Sequence, residues 1–283
     1  MLPRDIEALI EPLFDHPPAE YTGEHLRIFQ AFKDALNRGE VRAAEPHSLA
    51  KTGWRVNAWV KKGILLGFRM GAIMDMSIDR AKQPFFDKST FPVRAFSAES
   101  GVRIVPGGSS IRDGCYVARG VICMPPMYVN AGAYIGEDTL IDSHALVGSC
   151  AQVGRKCHIS AGSQIGGVLE PVGAMPVIVE DEVLVGGNCG VYEGTIVKRR
   201  AVLGTGTILN RSTPVYDLVH NQIYSATDAD PLVIPEDAVV VAGSRAITRG
   251  PGKDWGISVY TPVIVKYRDA KTGTKIQLED LLR

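Results

Sequence analysis

No sign of charge dominates this chain: Lys and Arg total 31, Asp and Glu total 31, and the formal charge at neutral pH is zero. Proteins that track phosphate backbones or anionic lipid carry a basic excess, so neither nucleic acid nor a membrane surface is an expected partner. Long hydrophobic runs are missing too; residues 64–68 and 238–243 fall far short of a bilayer span. The opening Met1-Leu2-Pro3-Arg4-Asp5-Ile6-Glu7 holds early acids and no apolar h-region, unlike a secretory signal. Cysteine is sparse and unpatterned. The five (Cys115, Cys123, Cys150, Cys157 and Cys189) are odd in number and form no CxxC, which argues against a disulfide framework or a thiolate metal site and makes a reducing cytoplasm the expected compartment. Aromatic residues reach only 7%. Glycine is plentiful, with 30 residues, and the hydrophobic share is 45%. That is enough apolar surface for a folded chain, and the glycines suit one that turns often around a narrow core.

Residues 1–100 read as a mainly helical domain. Ile6, Leu9, Ile10, Leu13 and Phe14 recur at helical spacing, as do Leu26, Phe29, Phe32 and Leu36, and Asn37-Arg38-Gly39 is a plausible helix end. Residues 56–69 are rich in Trp, Val, Leu and Phe with Lys61 and Lys62 in their middle, and residues 82–96 look like an irregular linker.

From residue 101 to 218 an internal repeat takes over. Stepping by six from Ile111 reaches Val117, Cys123, Val129, Ile135, Ile141, Val147, Val153, Ile159 and Ile165; the series resumes at Val179 and runs through Val185, Val191, Val197, Leu203, Leu209 and Val215. Four residues after each aliphatic a small residue recurs, among them Cys115, Ala133, Thr139, Ala145, Cys157, Ser163, Cys189, Thr207 and Thr213. Glycine often follows the aliphatic directly, as at Gly136, Gly148, Gly154, Gly166, Gly186 and Gly204, and is expected to supply the turn. This is the signature of a parallel β-helix in which three hexads close one coil. A β-sandwich, with period-two strands and irregular turns, does not hold a strict six-residue step. The tight hexad implies left-handed coiling, as in known folds of this kind. The pause between Ile165 and Val179 predicts an external loop near residues 169–176. Residues 219–283 leave the repeat and predict a small β extension that caps the open edge of the stack, with a short helix at residues 278–283.

Hexapeptide β-helices host CoA-dependent acyl transfer, zinc hydration chemistry or pure scaffolding. Zinc catalysis needs three or four converging ligands, but only His144 and His158 of the six histidines lie in the repeats; no metal site is expected. A Gly-rich phosphate loop, needed for a nucleotidyltransferase fusion, is missing from residues 1–100. Acyl transfer is the favoured class.

Several strings resemble the tetrahydrodipicolinate N-succinyltransferase family. They are Trp59-Val60-Lys61-Lys62-Gly63-Ile64-Leu65-Leu66-Gly67-Phe68-Arg69, Val102-Arg103-Ile104-Val105-Pro106, Tyr128-Val129-Asn130-Ala131-Gly132-Ala133-Tyr134, Val147-Gly148-Ser149-Cys150-Ala151-Gln152-Val153-Gly154 and Ile165-Gly166-Gly167-Val168-Leu169-Glu170-Pro171. The resemblance implies a cytoplasmic homotrimer of lysine and diaminopimelate biosynthesis with active sites between subunits. It implies no permanently bound cofactor: succinyl-CoA is a co-substrate, and the amine of the hydrated, ring-opened acceptor attacks its thioester. Arg103 matches the family's substrate-binding Arg, and Asp142 its substrate-binding and catalytic Asp. Lys253 and Lys266 are candidates for the CoA phosphates.

Residues 187–194 depart from the family. Where it has Ala-Arg-Ser-Glu before Val-Val-Glu-Gly, with the first Glu held to be catalytic, this chain has Gly187-Asn188-Cys189-Gly190 before Val191-Tyr192-Glu193-Gly194. Gly190 thus replaces the Glu and Asn188 the Arg, while His144 stands where the family carries Trp. Two coils separate hexads 141 and 185, which places the changed sites on one face, ~10 Å apart. His144 is therefore expected to handle the proton, because imidazole titrates near neutral pH. Glu193 is a fallback base, and His158 is expected to be structural. Asn188 leaves acetyl-CoA open as an alternative donor, and Gly190 leaves open an inactive scaffold.

Overall fold

A chain that places one aliphatic in each two-residue strand and turns after every sixth residue must stack like with like, and the register shows that it does. Val117 pairs with Ile135 and Ile135 with Val153; Cys123 pairs with Ile141 and Ile141 with Ile159; Val129 pairs with Val147 and Val147 with Ile165, always in parallel. Each coil is therefore 18 residues long. A computed structural model describes residues 2–268, and in it the coils form a left-handed parallel β-helix with three faces.

The predicted aliphatics are the core: those from Ile111 to Val215 are each no more than 5% exposed. The small residues line the inner corners, where Thr139 donates to the Gly154 carbonyl and Ser163 to that of Gly186, each at 2.8 Å, so their buried hydroxyls are satisfied. Thr213 departs, only half-buried where the coil ends.

One expectation is corrected. The turn conformation does not sit at the glycine that follows each aliphatic. It sits three residues after the aliphatic, at glycine in positions such as Gly132 and Gly162, and at Asp138, His144, Cys150, Lys156, Glu182, Asn188 and Arg200, whose φ lies between 54° and 66°. The glycines after the aliphatics answer a different demand, close approach of neighbouring coils: a Cβ at Gly148 would lie 2.6 Å from the Gly167 Cα.

The interruption falls where the spacing placed it. Val153 pairs with Val179 and Ile165 with Val191, so the coil resumes in register and residues 169–176 project outward. We name the three faces by what flanks them. The loop face carries Tyr128, Leu146, Gln164, Gly190 and Ile208 outward. The cap face runs from Arg103–Ile104 through Leu140–Ile141, His158–Ile159 and Leu184–Val185 to Val202–Leu203, then into the antiparallel pair Ala238–Ala246 and Ser258–Tyr267, both anticipated as strands. The third face meets the N-terminal domain.

That domain is α1 (Pro3–Asp15), α2 (Gly23–Asn37) and α3 (Ala58–Met70) with two short hairpins. Ile6, Ile10, Phe29, Phe32, Val60 and Ile64 form one core with Ala131 and Cys150 of the coil. Residues 82–96 are more than a linker: they include the strand Phe86–Lys88, and Phe91, 1% exposed, packs edge-on against Phe29. Polar contacts lock the junction: buried Lys33 pairs with Asp113 at 2.8 Å, and the Arg42 guanidinium lies 3.6 Å from the Tyr134 ring centroid. The helix expected at residues 278–283 lies outside the described residues.

Candidate active site

Asp142 follows the cap-face strand Leu140–Ile141 at the corner that leads to the loop face. Its Oδ1 accepts from the Ser143 amide at 2.7 Å, which fixes the carboxylate. On the neighbouring strand His158 places Nε2 4.0 Å from Asp142 Oδ2. Arg103 lies two strand steps down the same face, ~10 Å away. Its side chain is exposed, and no hydrogen bond or ion pair joins it to Asp142 among the described residues.

His144 occupies the left-handed corner position, φ 62°, and is exposed. Among the described residues its ring makes no hydrogen bond or ion pair. Gly162 and Asn188 stack above it in the same corner column, with the Asn188 amide oxygen folded over Gly162. The expected shared face holds for His144 and Asn188 only; Gly190 has turned the corner onto the loop face, in register with Gln164 and Ile208.

The external loop arches over a cavity of about 870 Å³ at the far edge of that face, lined by Leu146, Met175, Tyr192, Glu193, Arg211 and Asp230 among others. Lys61, fully buried on α3, ties the loop down by donating from Nζ to the Ala174 carbonyl at 2.6 Å. Burial pushes its amine pKa below the ordinary lysine value. Glu193 is a left-handed corner residue, φ 54°, whose Oε2 accepts from the Arg211 amide. Two contributors escaped the sequence reading: Lys61, visible only as a charge inside an apolar helical stretch, and Tyr192, visible only as an aromatic two residues past an unexpected glycine.

The candidate CoA-binding lysines belong to the cap. Lys253 lies exposed in the short helix Gly250–Asp254, and Lys266 in Ser258–Tyr267, whose pairing with Ala238–Ala246 sets it beyond the last coil from Arg103. The cysteines are core fillers. Burial pushes the thiols of Cys115, Cys123, Cys150 and Cys157 up to about 12 and raises that of Cys189, opposite to what a nucleophile needs. Among the described residues no group of three or more His, Cys, Asp and Glu is placed to hold a metal ion.

A left-handed β-helix of hexapeptide repeats, with a cleft under an external loop held by buried Lys61, is the architecture of a hexapeptide-repeat acyltransferase. Comparison with known proteins makes this specific. Residues 2–70 match the family described as tetrahydrodipicolinate N-succinyltransferase N-terminal, and residues 176–211 match the hexapeptide repeat of succinyl-transferase. A 2,3,4,5-tetrahydropyridine-2,6-dicarboxylate N-succinyltransferase of Xylella fastidiosa is 41% identical over 88% of this chain and 86% of its own length. One from Afipia carboxidovorans is 39% identical over 95% of this chain and 94% of its own. A crystal structure from Campylobacter jejuni, 16% identical, shares the fold with a TM-score of 0.56 over 90% of this chain and 64% of that one. The chain belongs to the tetrahydrodipicolinate N-succinyltransferase family. No described helix is long and apolar enough to cross a membrane.

Proposed function

We propose that this enzyme moves the succinyl group of succinyl-CoA to the amine of hydrated, ring-opened tetrahydrodipicolinate, a step toward diaminopimelate and lysine. The observation that carries the reading is similarity to N-succinyltransferases along nearly the whole chain, 39% identity over 95% of it. Arg103 would pair with an acceptor carboxylate, and Asp142 would hold the attacking amine. His144, exposed at the next corner, would take the amine proton and pass it on, while His158 keeps Asp142 in place. Lys253 and Lys266 would meet the CoA phosphates. The active unit would be a cytoplasmic homotrimer with active sites between subunits. Exposed apolar side chains on opposite parts of the chain support self-association: Ile73, Ile78, Phe85 and Phe86 beside the N-terminal domain, and Trp255 and Ile257 on the cap.

Asn188, which stands in place of the family's Arg, favours a second reading in which acetyl-CoA is the donor. Thiol release from each thioester, with and without the acceptor, separates the two. Acceptor-dependent release from succinyl-CoA is expected. Preference for acetyl-CoA would reassign the donor, and release from neither would leave a scaffold.

A further inference from the structure

Gly190 is the one outward loop-face position in its column without a side chain, and it is nonetheless buried. What covers it is the ring of Tyr192. A Cβ built on Gly190 would collide with Tyr192 Cε2 and would lie 2.8 Å from Cζ and 2.9 Å from the hydroxyl oxygen. A Cβ on Gly166, one coil below, would lie 2.8 Å from Cδ1 of the same ring. The phenol thus lies in a trough made by two glycines, and its hydroxyl occupies the space that a side chain at 190 would fill.

The surroundings indicate which part of the substrates it meets. Tyr192 lines the cavity under the external loop, and among the described residues its hydroxyl makes no hydrogen bond to the chain. The other charged groups lining that cavity are Glu170, Glu193, Asp228 and Asp230 against Arg211 alone. Arg211 pairs with Asp228 and Lys51 with Asp230, so much of that charge is balanced within the chain, and what Tyr192 adds to the cavity is an uncharged donor. A phenol is neutral at neutral pH and donates an O–H bond. A carboxylate in its place would repel charge developing on a carbonyl oxygen.

We propose that Tyr192 donates its hydroxyl hydrogen bond to the acyl carbonyl oxygen of the CoA thioester, a contact that rests on the acyl-transfer reading above. The acceptor amine forms a C–N bond to the carbonyl carbon, and the carbonyl π pair moves onto the oxygen held by Tyr192. The pair then returns as the C–S bond breaks. CoA leaves as a thiolate and is protonated by the proton the amine gives up.

The test uses Tyr192→Phe, which keeps the ring in its trough and deletes only the donor. Turnover of succinyl-CoA with tetrahydrodipicolinate should fall about a hundredfold with the melting temperature unchanged. Calorimetric binding without acceptor gives an independent reading: the preference for succinyl-CoA over free CoA should drop about fivefold. Gly190→Ala, which displaces the ring, should reproduce both effects. If the wild type fails to turn over this acceptor but the binding preference still drops, the acceptor assignment fails and the contact stands. Unchanged turnover and unchanged preference in Tyr192→Phe overturn the proposal, as does a wild type with no preference for the thioester.

Discussion

The buried residue of each strand is an aliphatic from Ile111 to Val215, with Cys123 the lone exception, while the corner position three residues on is glycine at 114, 120, 132, 162, 194 and 206 and elsewhere holds Asp138, His144, Cys150, Lys156, Glu182, Asn188 and Arg200. Both positions recur with the same period, but the first demands an aliphatic, while the second asks only for a residue that accepts positive φ, glycine or another. Inside the coil every side chain must fill the same triangular space against copies of itself, so volume and polarity are fixed. At the corners the backbone conformation repeats, but apart from Cys150, which packs into the core of the N-terminal domain, the side chains stay at least partly exposed, so chemistry varies more freely. The fold is redundant over many coils; the site is built from single residues that differ from one coil to the next.

The sharpest way to break this contrast is to put corner chemistry inside. Val185→Asp buries a charge with no partner, and circular dichroism should show no cooperative unfolding transition at 25 °C. A folded variant would mean that the core column tolerates a buried charge.

Asp142→Asn makes the opposite test, changing chemistry without touching the core. Its kcat/KM should fall about a hundredfold or more while the melting temperature stays within about 2 °C. His144→Ala should lower kcat about tenfold or more with equally little effect on stability; near-normal kcat would remove the proton role from His144.

Gly148→Ala tests the coil-to-coil approach. The added methyl meets the Gly167 backbone, and denaturant unfolding should register a loss of about 1–3 kcal/mol. No loss would show that the stack relaxes easily there.

The smallest effect comes from Lys61. Burial depresses its pKa, so between that lowered value and 10.5 the unfolded chain holds the extra proton and the folded chain does not. Stability relative to Lys61→Met should therefore rise with pH as the ordinary lysine value is approached, and level off above it. Chemical unfolding of both proteins across that range checks the sign. A flat difference would mean that the Lys61 amine is not penalised by burial.

This contrast also explains what could be seen in the sequence. The hexads and the loop at residues 169–176 were legible because a periodic core repeats its own signal many times. The N-terminal helices were legible because Ile6, Ile10, Phe29 and Phe32 keep helical spacing on one buried face. The turn offset is hidden in the sequence because both close approach and positive φ select glycine, and composition alone does not separate them. The nearness of His158 to Asp142 was invisible because it depends on rotamers across coils. Tyr192 over Gly190 was legible only as a pair of departures, since its meaning lies in which space the ring fills.

The most direct measurement of the central claim is the mass spectrum of the acceptor after incubation with enzyme and succinyl-CoA. The expected product carries one succinyl group on the amine, formed at a rate that Asp142→Asn lowers about a hundredfold or more and Val197→Ala, an interior change, leaves within about twofold per folded molecule. An acetylated product from acetyl-CoA alone, or an unmodified acceptor beside a fully folded enzyme, would contradict it.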